Sequence, residues 1–194
     1  MSYYLYTTEG VILSSSLAAE SSRFYHIYTE ELGLVGVWGQ GVRKLGSKLR
    51  GNLQDFSHVR ISLIKGKSMW RLTDVENIAT FNDVLASAEK RMFVARISAL
   101  LKRLLEEGAD PILFNFFVDT LRYVETNTFD KKNLESLEVI FVLRVLHHLG
   151  YVKKDAVNEF FLSQEWNEEI LQQGINKKYA LLKEVNVSLG ETHL

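Results

Sequence analysis

A chain of 194 residues with 46% hydrophobic and 24% charged residues has the composition of an ordinary folded protein, long enough for one large domain or two small ones. It contains no cysteine, which excludes disulfides and thiolate metal sites and suits a reducing compartment. The net charge of -1 conceals an asymmetry: between Gln40 and Leu72 stand eight basic residues (Arg43, Lys44, Lys48, Arg50, Arg60, Lys65, Lys67 and Arg71) and one acid, Asp55, which leaves 15 basic and 23 acidic residues elsewhere.

Surfaces usually intersperse the two signs, so this window points to a polyanion site; the bland alternative is a solvated face that keeps a small β-domain soluble. The N-terminal Met1-Ser2-Tyr3-Tyr4-Leu5-Tyr6 has neither a basic n-region nor an apolar stretch, and does not read as a signal peptide. No apolar run is long enough to span a bilayer. The expected location is the cytoplasm, with no membrane partner.

The first 80 residues read as strands. Tyr3–Thr7 and Gly10–Ser15 are β-prone runs with Glu9-Gly10 between them. Ser22–Thr29 alternates, placing Phe24, His26 and Tyr28 on one face and Arg23, Tyr25 and Ile27 on the other. Leu34–Gly39 follows a turn at Glu30–Gly33. In His58–Lys65, Val59, Ile61 and Leu63 oppose His58, Arg60 and Ser62, and Gly66-Lys67 makes a hairpin into Ser68–Val75. Five or six short strands in this span predict a small, partly closed antiparallel barrel of the OB type. Of its aromatics, Trp70 and Phe24 are assigned to the interior, while Tyr25 and Trp38 fall on the opposite parity.

From Asp83 the apolar spacing becomes helical. One amphipathic pattern through Val84, Ala88, Met92, Leu101 and Leu104 runs to Gly108. Asp110-Pro111 starts a second helix, and Asp130 caps a third that ends at Leu149-Gly150. Two more amphipathic stretches are expected over 156–172 and 176–189. The division is therefore a barrel over 1–79 and an all-helical domain over 80–194, an α+β chain without internal repeats.

Catalytic motifs are missing: there is no nucleophile elbow, no P-loop, and no glycine fingerprint between a strand and a helix. His147 and His148 are adjacent, so on a helix they diverge by about 100° and are poor co-ligands. No enzyme activity, cofactor or metal is expected. The strongest local feature is Gly39-Gln40-Gly41-Val42-Arg43-Lys44-Leu45-Gly46-Ser47-Lys48-Leu49-Arg50-Gly51, where glycines alternate with cations. Glycine lets a backbone approach a phosphate closely, and Arg and Lys at this density neutralise a strand without reading its sequence.

Tyr28-Thr29-Glu30-Glu31-Leu32-Gly33, then Gly39-Gln40-Gly41-Val42-Arg43-Lys44, then Ser47-Lys48-Leu49-Arg50-Gly51-Asn52-Leu53-Gln54-Asp55-Phe56 resembles the signature block of the RecO recombination-mediator family. Thr8-Glu9-Gly10-Val11-Ile12-Leu13 is similar to that family's first strand, and Leu146-His147-His148-Leu149-Gly150-Tyr151 to a helix end in its C-terminal domain. The resemblance implies an N-terminal OB-fold, a helical C-terminal domain, and binding of single- and double-stranded DNA with strand annealing. It also implies cooperation with RecR and the C-terminal tail of single-stranded-DNA-binding protein (SSB), so that recombinase is loaded in repair at the bacterial nucleoid. By motif matching, Arg43, Lys44, Lys48 and Arg50 inherit the DNA-contacting role; strand parity adds Arg60 and Arg71.

The chain departs from the pattern in several places. Asp55 stands where proline precedes Phe56, and Gln40 where lysine precedes Gly41. The four-cysteine zinc module that many members carry has no cysteines here. Where the family's basic SSB-tail pocket falls, Leu137-Glu138-Val139-Ile140 is apolar or acidic, with Arg144 one turn later. The alternative expectation is a protein-interaction module, whose helical domain docks a partner while DNA contact is secondary.

Overall fold

The structure is a computed structural model and describes residues 4–49, 51–67, 69–155, 158–162 and 165–191. Alternating apolar residues produce five strands: β1 (Leu5–Leu17), β2 (Arg23–Thr29), β3 (Gly33–Gly39), β4 (His58–Lys65) and β5 (Trp70–Ala79). They close into a barrel in the order β1-β2-β3-β5-β4. Every seam is antiparallel except β3–β5, where Val37 pairs with Trp70 and Trp38 with Arg71 in parallel. This is the OB-fold expected from the strand pattern.

Glu9-Gly10 is not a break between two strands. Both residues lie inside the single strand β1, and Gly10 serves instead to admit β2, because a Cβ there would stand 2.8 Å from Ile27 Cγ2. The irregularity comes later, as a bulge between Ile12 and Ser14. At that point Ile12 pairs with the chain entering β4: Phe56 N–H donates to Ile12 O (2.7 Å) and Ile12 N–H to Ser57 O (3.1 Å). The two bonds hold Phe56 at φ +70°, in the left-handed region that costs a side-chain-bearing residue about 1–2 kcal/mol.

The barrel interior is filled by large apolar residues. Tyr25, Ile27, Val37, Ile61, Leu63 and Trp70 are all buried in it. Trp70 is internal as expected, but the assignments within β2 are reversed: Tyr25 is 1% exposed, whereas Phe24 faces outward and is only partly buried. The reversal has a cause outside β2. Tyr28 and His58 lie on the outer face yet are buried, because Phe114 packs against Tyr28 (ring centroids 5.5 Å) and His58 (6.0 Å), with Phe117 alongside Tyr28 (6.2 Å). A strand covered on both faces at one end carries no clean inside-outside alternation.

Helices follow: α1 (Asn82–Ala86), α2 (Ala88–Leu104), α3 (Pro111–Thr126), α4 (Lys131–His148), a 3-10 turn (Glu159–Leu162), α5 (Glu168–Asn176) and α6 (Lys178–Glu191). The expected single helix after Asp83 is split at Ser87, whose Oγ accepts from Lys90 N–H (3.3 Å) as an N-cap for α2. Asp110 and Asp130 cap α3 and α4 as expected, accepting from Leu113 N–H (3.0 Å) and Asn133 N–H (2.7 Å). Gly150, at φ +85°, ends α4.

The amphipathic stretch expected over 156–172 is not one helix. Asn158 and Asp155 exchange side-chain-to-backbone bonds (both 2.9 Å), and Asn158 Nδ2 donates to Lys153 O (2.9 Å), which favours a turn over a helix. The helix then restarts behind the Asn167 cap.

The chain forms two compact units, one of Met1–Asn82 with Ser98–Val118, the other of Asp83–Ile97 with Asp119–Leu194. The barrel unit thus includes residues 98–118, which the helical pattern groups with the second domain. Within the other unit α4 is the buried centre, and Gly174 brings α5 close to it, since a Cβ there would stand 2.7 Å from Ile140 Cδ1. Among the described residues no helix is long and apolar enough to cross a membrane.

Candidate nucleic-acid interface

The segment between β3 and β4 is a chain of turns fastened to the barrel at several points. Lys44 N–H donates to Gly41 O (3.1 Å), Ser47 N–H to Lys44 O (3.0 Å) and Ser57 N–H to Gln54 O (3.2 Å). Val42 is 2% exposed and belongs to the barrel core, with Leu49 and Leu53 packed against it. Gly39 makes room for that return, because a Cβ there would meet Tyr25 Cε2 at 2.8 Å and Val42 Cγ1 at 2.9 Å. Gly41, at φ +66°, turns the chain. On one side Arg43 N–H donates to Ser21 O (3.0 Å) and Gly41 N–H to Ser22 Oγ (3.2 Å); on the other, Asn52 Nδ2 donates to Val75 O (3.3 Å).

Pinning Val42, Leu49 and Leu53 inward leaves the cations outside, together with Leu45, which is 94% exposed. Arg43, Lys44 and Lys48 are exposed, and none forms an ion pair among the described residues. Arg43 Nη1 donates to Glu20 O (2.9 Å), which steadies the guanidinium without cancelling its charge. Arg50, the fourth loop cation expected to touch DNA, lies outside the described residues.

The remaining cations of the basic window separate into two kinds. Arg60 reaches Glu9 (3.1 Å) and Glu76 (3.2 Å) on the outer face of the barrel, so two carboxylates compensate it. Lys65 pairs with Glu107 (3.1 Å) and lies 4.9 Å from the Trp70 ring centroid. Glu107 is held below the usual carboxylate range, first by the bond from Trp70 Nε1 (3.0 Å) and then by Lys65. Lys67 and Arg71, by contrast, are exposed and without an ion pair among the described residues.

Asp55, the one acid in the window, forms no ion pair with the loop cations among the described residues. Its Oδ1 accepts from Ser15 Oγ (2.7 Å), and Ser15 Oγ accepts from Arg23 Nη2 (2.8 Å). Sequence reasoning did not single out Lys102, on the last turn of α2, whose Nζ donates to Ser14 Oγ (3.1 Å). Nothing in the linear spacing joins residues 88 positions apart. His26 beside it is held below its ordinary pKa of 6.5, mainly by burial and further by the Lys102 charge. His147 Nδ1 lies 2.8 Å from Val152 O, while His148 is exposed; among the described residues no group of three or more potential ligands surrounds a metal position.

A closed five-strand barrel sealed by a parallel β3–β5 contact, followed by helices, defines an OB-fold protein with a helical C-terminal portion. Residues 1–81 match the family described as "Recombination protein O N terminal". The chain is similar to the DNA repair protein RecO of Clostridium acetobutylicum, with 28% identity over 148 residues that cover 76% of this chain and 59% of that protein. RecO of Dehalococcoides mccartyi strain 195 is 26% identical over 147 residues, covering 75% of this chain and 56% of its own length. For RecO of Thermobifida fusca the identity is 29% over 116 residues, 59% of this chain and 47% of the relative. The chain is similar to RecO DNA repair proteins, and its residues 1–81 match the model of that family's N-terminal domain. It spans less than two thirds of the length of these curated relatives.

Proposed function

We propose that this protein is a DNA-repair mediator that binds single- and double-stranded DNA through the β3–β4 loop and promotes annealing and recombinase loading. The observation that carries the reading is the pinned loop, on which Arg43, Lys44 and Lys48 project outward without carboxylate partners among the described residues. Arg50 joins them by sequence, and Arg71 extends the cationic surface onto β5. Arg60 is left out of the contact set, because Glu9 and Glu76 already satisfy it. Cations of this kind screen the repulsion between two phosphate backbones, which favours pairing of complementary strands. The protein acts by binding, without a chemical step of its own, in the cytoplasm at the nucleoid. RecR and the SSB C-terminal tail are the protein partners this reading supplies.

Titration of a labelled oligonucleotide at several salt concentrations tests the proposal. Four loop contacts on a single strand give a log-log salt slope of about -3. Replacing Arg43, Lys44, Lys48 and Arg50 by alanine should abolish most of the binding and flatten that slope. Salt-independent binding, or unchanged affinity in the fourfold variant, overturns the proposal. Capture of RecR without DNA affinity would instead support the interaction-module reading.

A further inference from the structure

One apolar residue of the β3–β4 loop is not drawn into the barrel. Val42, Leu49 and Leu53 pack on the core, but Leu45 between them is 94% exposed. Its backbone is fixed: Ser47 N–H donates to Lys44 O (3.0 Å), so Leu45 and Gly46 are the two central residues of a closed turn. Such corners accept most residues and favour proline, glycine and short polar ones, so the turn itself does not call for leucine. Around the corner stand Arg43, Lys44 and Lys48, exposed and without an ion pair among the described residues. A Cβ added at Gly46 would meet nothing within 4 Å, so the corner is open beside the leucine as well.

We infer that Leu45 is an apolar wedge for a weakened base step in duplex DNA, brought there by the cations beside it. The inference rests on the loop binding nucleic acid and adds which duplex it favours. Phosphate contacts hold a perfect and a mismatched duplex alike, because both carry the same charge. A leucine pushed between base pairs gains the burial of its side chain and loses the stacking it breaks. A perfect step makes that exchange costly, whereas a mismatched one is cheaper to open. Such a wedge needs a projecting apolar side chain, a firm mount, and cations that hold the phosphates on either side. Leu45 is the side chain, the turn over residues 44–47 anchored through Val42 is the mount, and Arg43, Lys44 and Lys48 are the cations. An apolar groove on a protein would have to desolvate those three charges, so the charge selects a polyanion as the occupant.

The test compares two duplexes of equal length and charge, one fully paired and one with a central mismatch, each carrying 2-aminopurine beside the centre. The full chain should bind the mismatched duplex about fivefold more tightly and raise its 2-aminopurine emission as the base unstacks. Leu45→Ala should erase the preference and the emission change, yet leave affinity for the paired duplex within about twofold. Leu45→Met, which keeps an apolar side chain of similar volume, should retain most of both. Tyr179→Ala, which removes an 86% exposed aromatic from α6, should retain both in full. Circular dichroism confirms the fold of each variant. Equal affinity of the parent for the two duplexes, or binding of a single strand but of neither duplex, overturns the wedge while leaving the loop as a nucleic-acid site. A preference that survives in Leu45→Ala, or that is lost equally in Tyr179→Ala, overturns it as well. If the parent binds no DNA at all, the loop reading fails and the wedge falls with it.

Discussion

The ion-paired cations of the helical unit contrast with those of the β3–β4 loop. In the helical unit Arg96 donates to both carboxylate oxygens of Glu138 (2.7 and 2.9 Å from Nε), and Lys178 meets Glu135 (2.5 Å), Lys154 meets Glu159 (2.8 Å) and Arg122 meets Asp119 (3.0 Å). Lys90 also pairs with Asp83. Glu135 is held below the usual carboxylate range by the bond from Lys178. On the barrel loop, Arg43, Lys44 and Lys48 have no such partners among the described residues, and the one nearby acid, Asp55, is bonded to Ser15 instead. A net charge of -1 therefore says little about either surface. What matters is whether acid and base meet on the same unit, since exposed pairs contribute only about 0–1 kcal/mol to stability but remove two charges from the outer field.

The largest effect should come from making the loop resemble the helical unit. Arg43→Glu with Lys44→Glu puts two acids among the free cations, and affinity for a single-stranded oligonucleotide at low salt should fall by about a hundredfold or more. Reversing Lys154 and Lys178, whose charges are already matched, should change it by less than about twofold in the same titration. An equal loss from both pairs of reversals would mean that net charge, rather than its placement, governs binding.

A smaller effect separates the two jobs done within the loop. Val42 is an anchor, so Val42→Ala removes buried methyl groups from the barrel core and should lower unfolding stability by about 2 kcal/mol in a denaturant melt. Lys44→Ala, two residues on and exposed, should stay within about 0.5 kcal/mol of the parent. If Val42→Ala leaves stability unchanged, the loop is not held by its apolar residues.

The barrel was legible because period-2 alternation in β4 and the glycines around the loop are local signals, and the helix caps at Asp110 and Asp130 were legible for the same reason. The Ser87 break was equally local, but a serine inside a long amphipathic run does not announce that its hydroxyl will cap. What escaped the sequence depends on residues far apart in the chain. Tyr25 and Phe24 could not be ordered without Phe114 and Phe117, which bury the outer face near Tyr28 and blur the parity of β2. Arg60 and Arg71 look alike as exposed strand cations, yet Glu9 and Glu76 reach only the first. Composition identified the basic window; only the fold distinguishes compensated cations from free ones.

The smallest predicted effect concerns Lys102, a barrel-unit cation that likewise forms no ion pair among the described residues and lies against Ser14. Ser14 Oγ is 3.4 Å from His26 Nδ1, and the Phe24 ring meets the imidazole edge-on at 5.2 Å. Burial is the main reason the His26 pKa lies below 6.5, and the Lys102 charge adds to it. The fold thus favours neutral imidazole. That contribution to stability is fully present above the unfolded value of 6.5 and is lost as pH falls toward the lower folded midpoint. Lys102→Met should raise the His26 midpoint, followed by its ring-proton shifts in NMR, yet leave it below 6.5 because burial persists. The acid-side loss of stability should shrink accordingly. An unmoved midpoint would show that the Lys102 charge is not felt at His26.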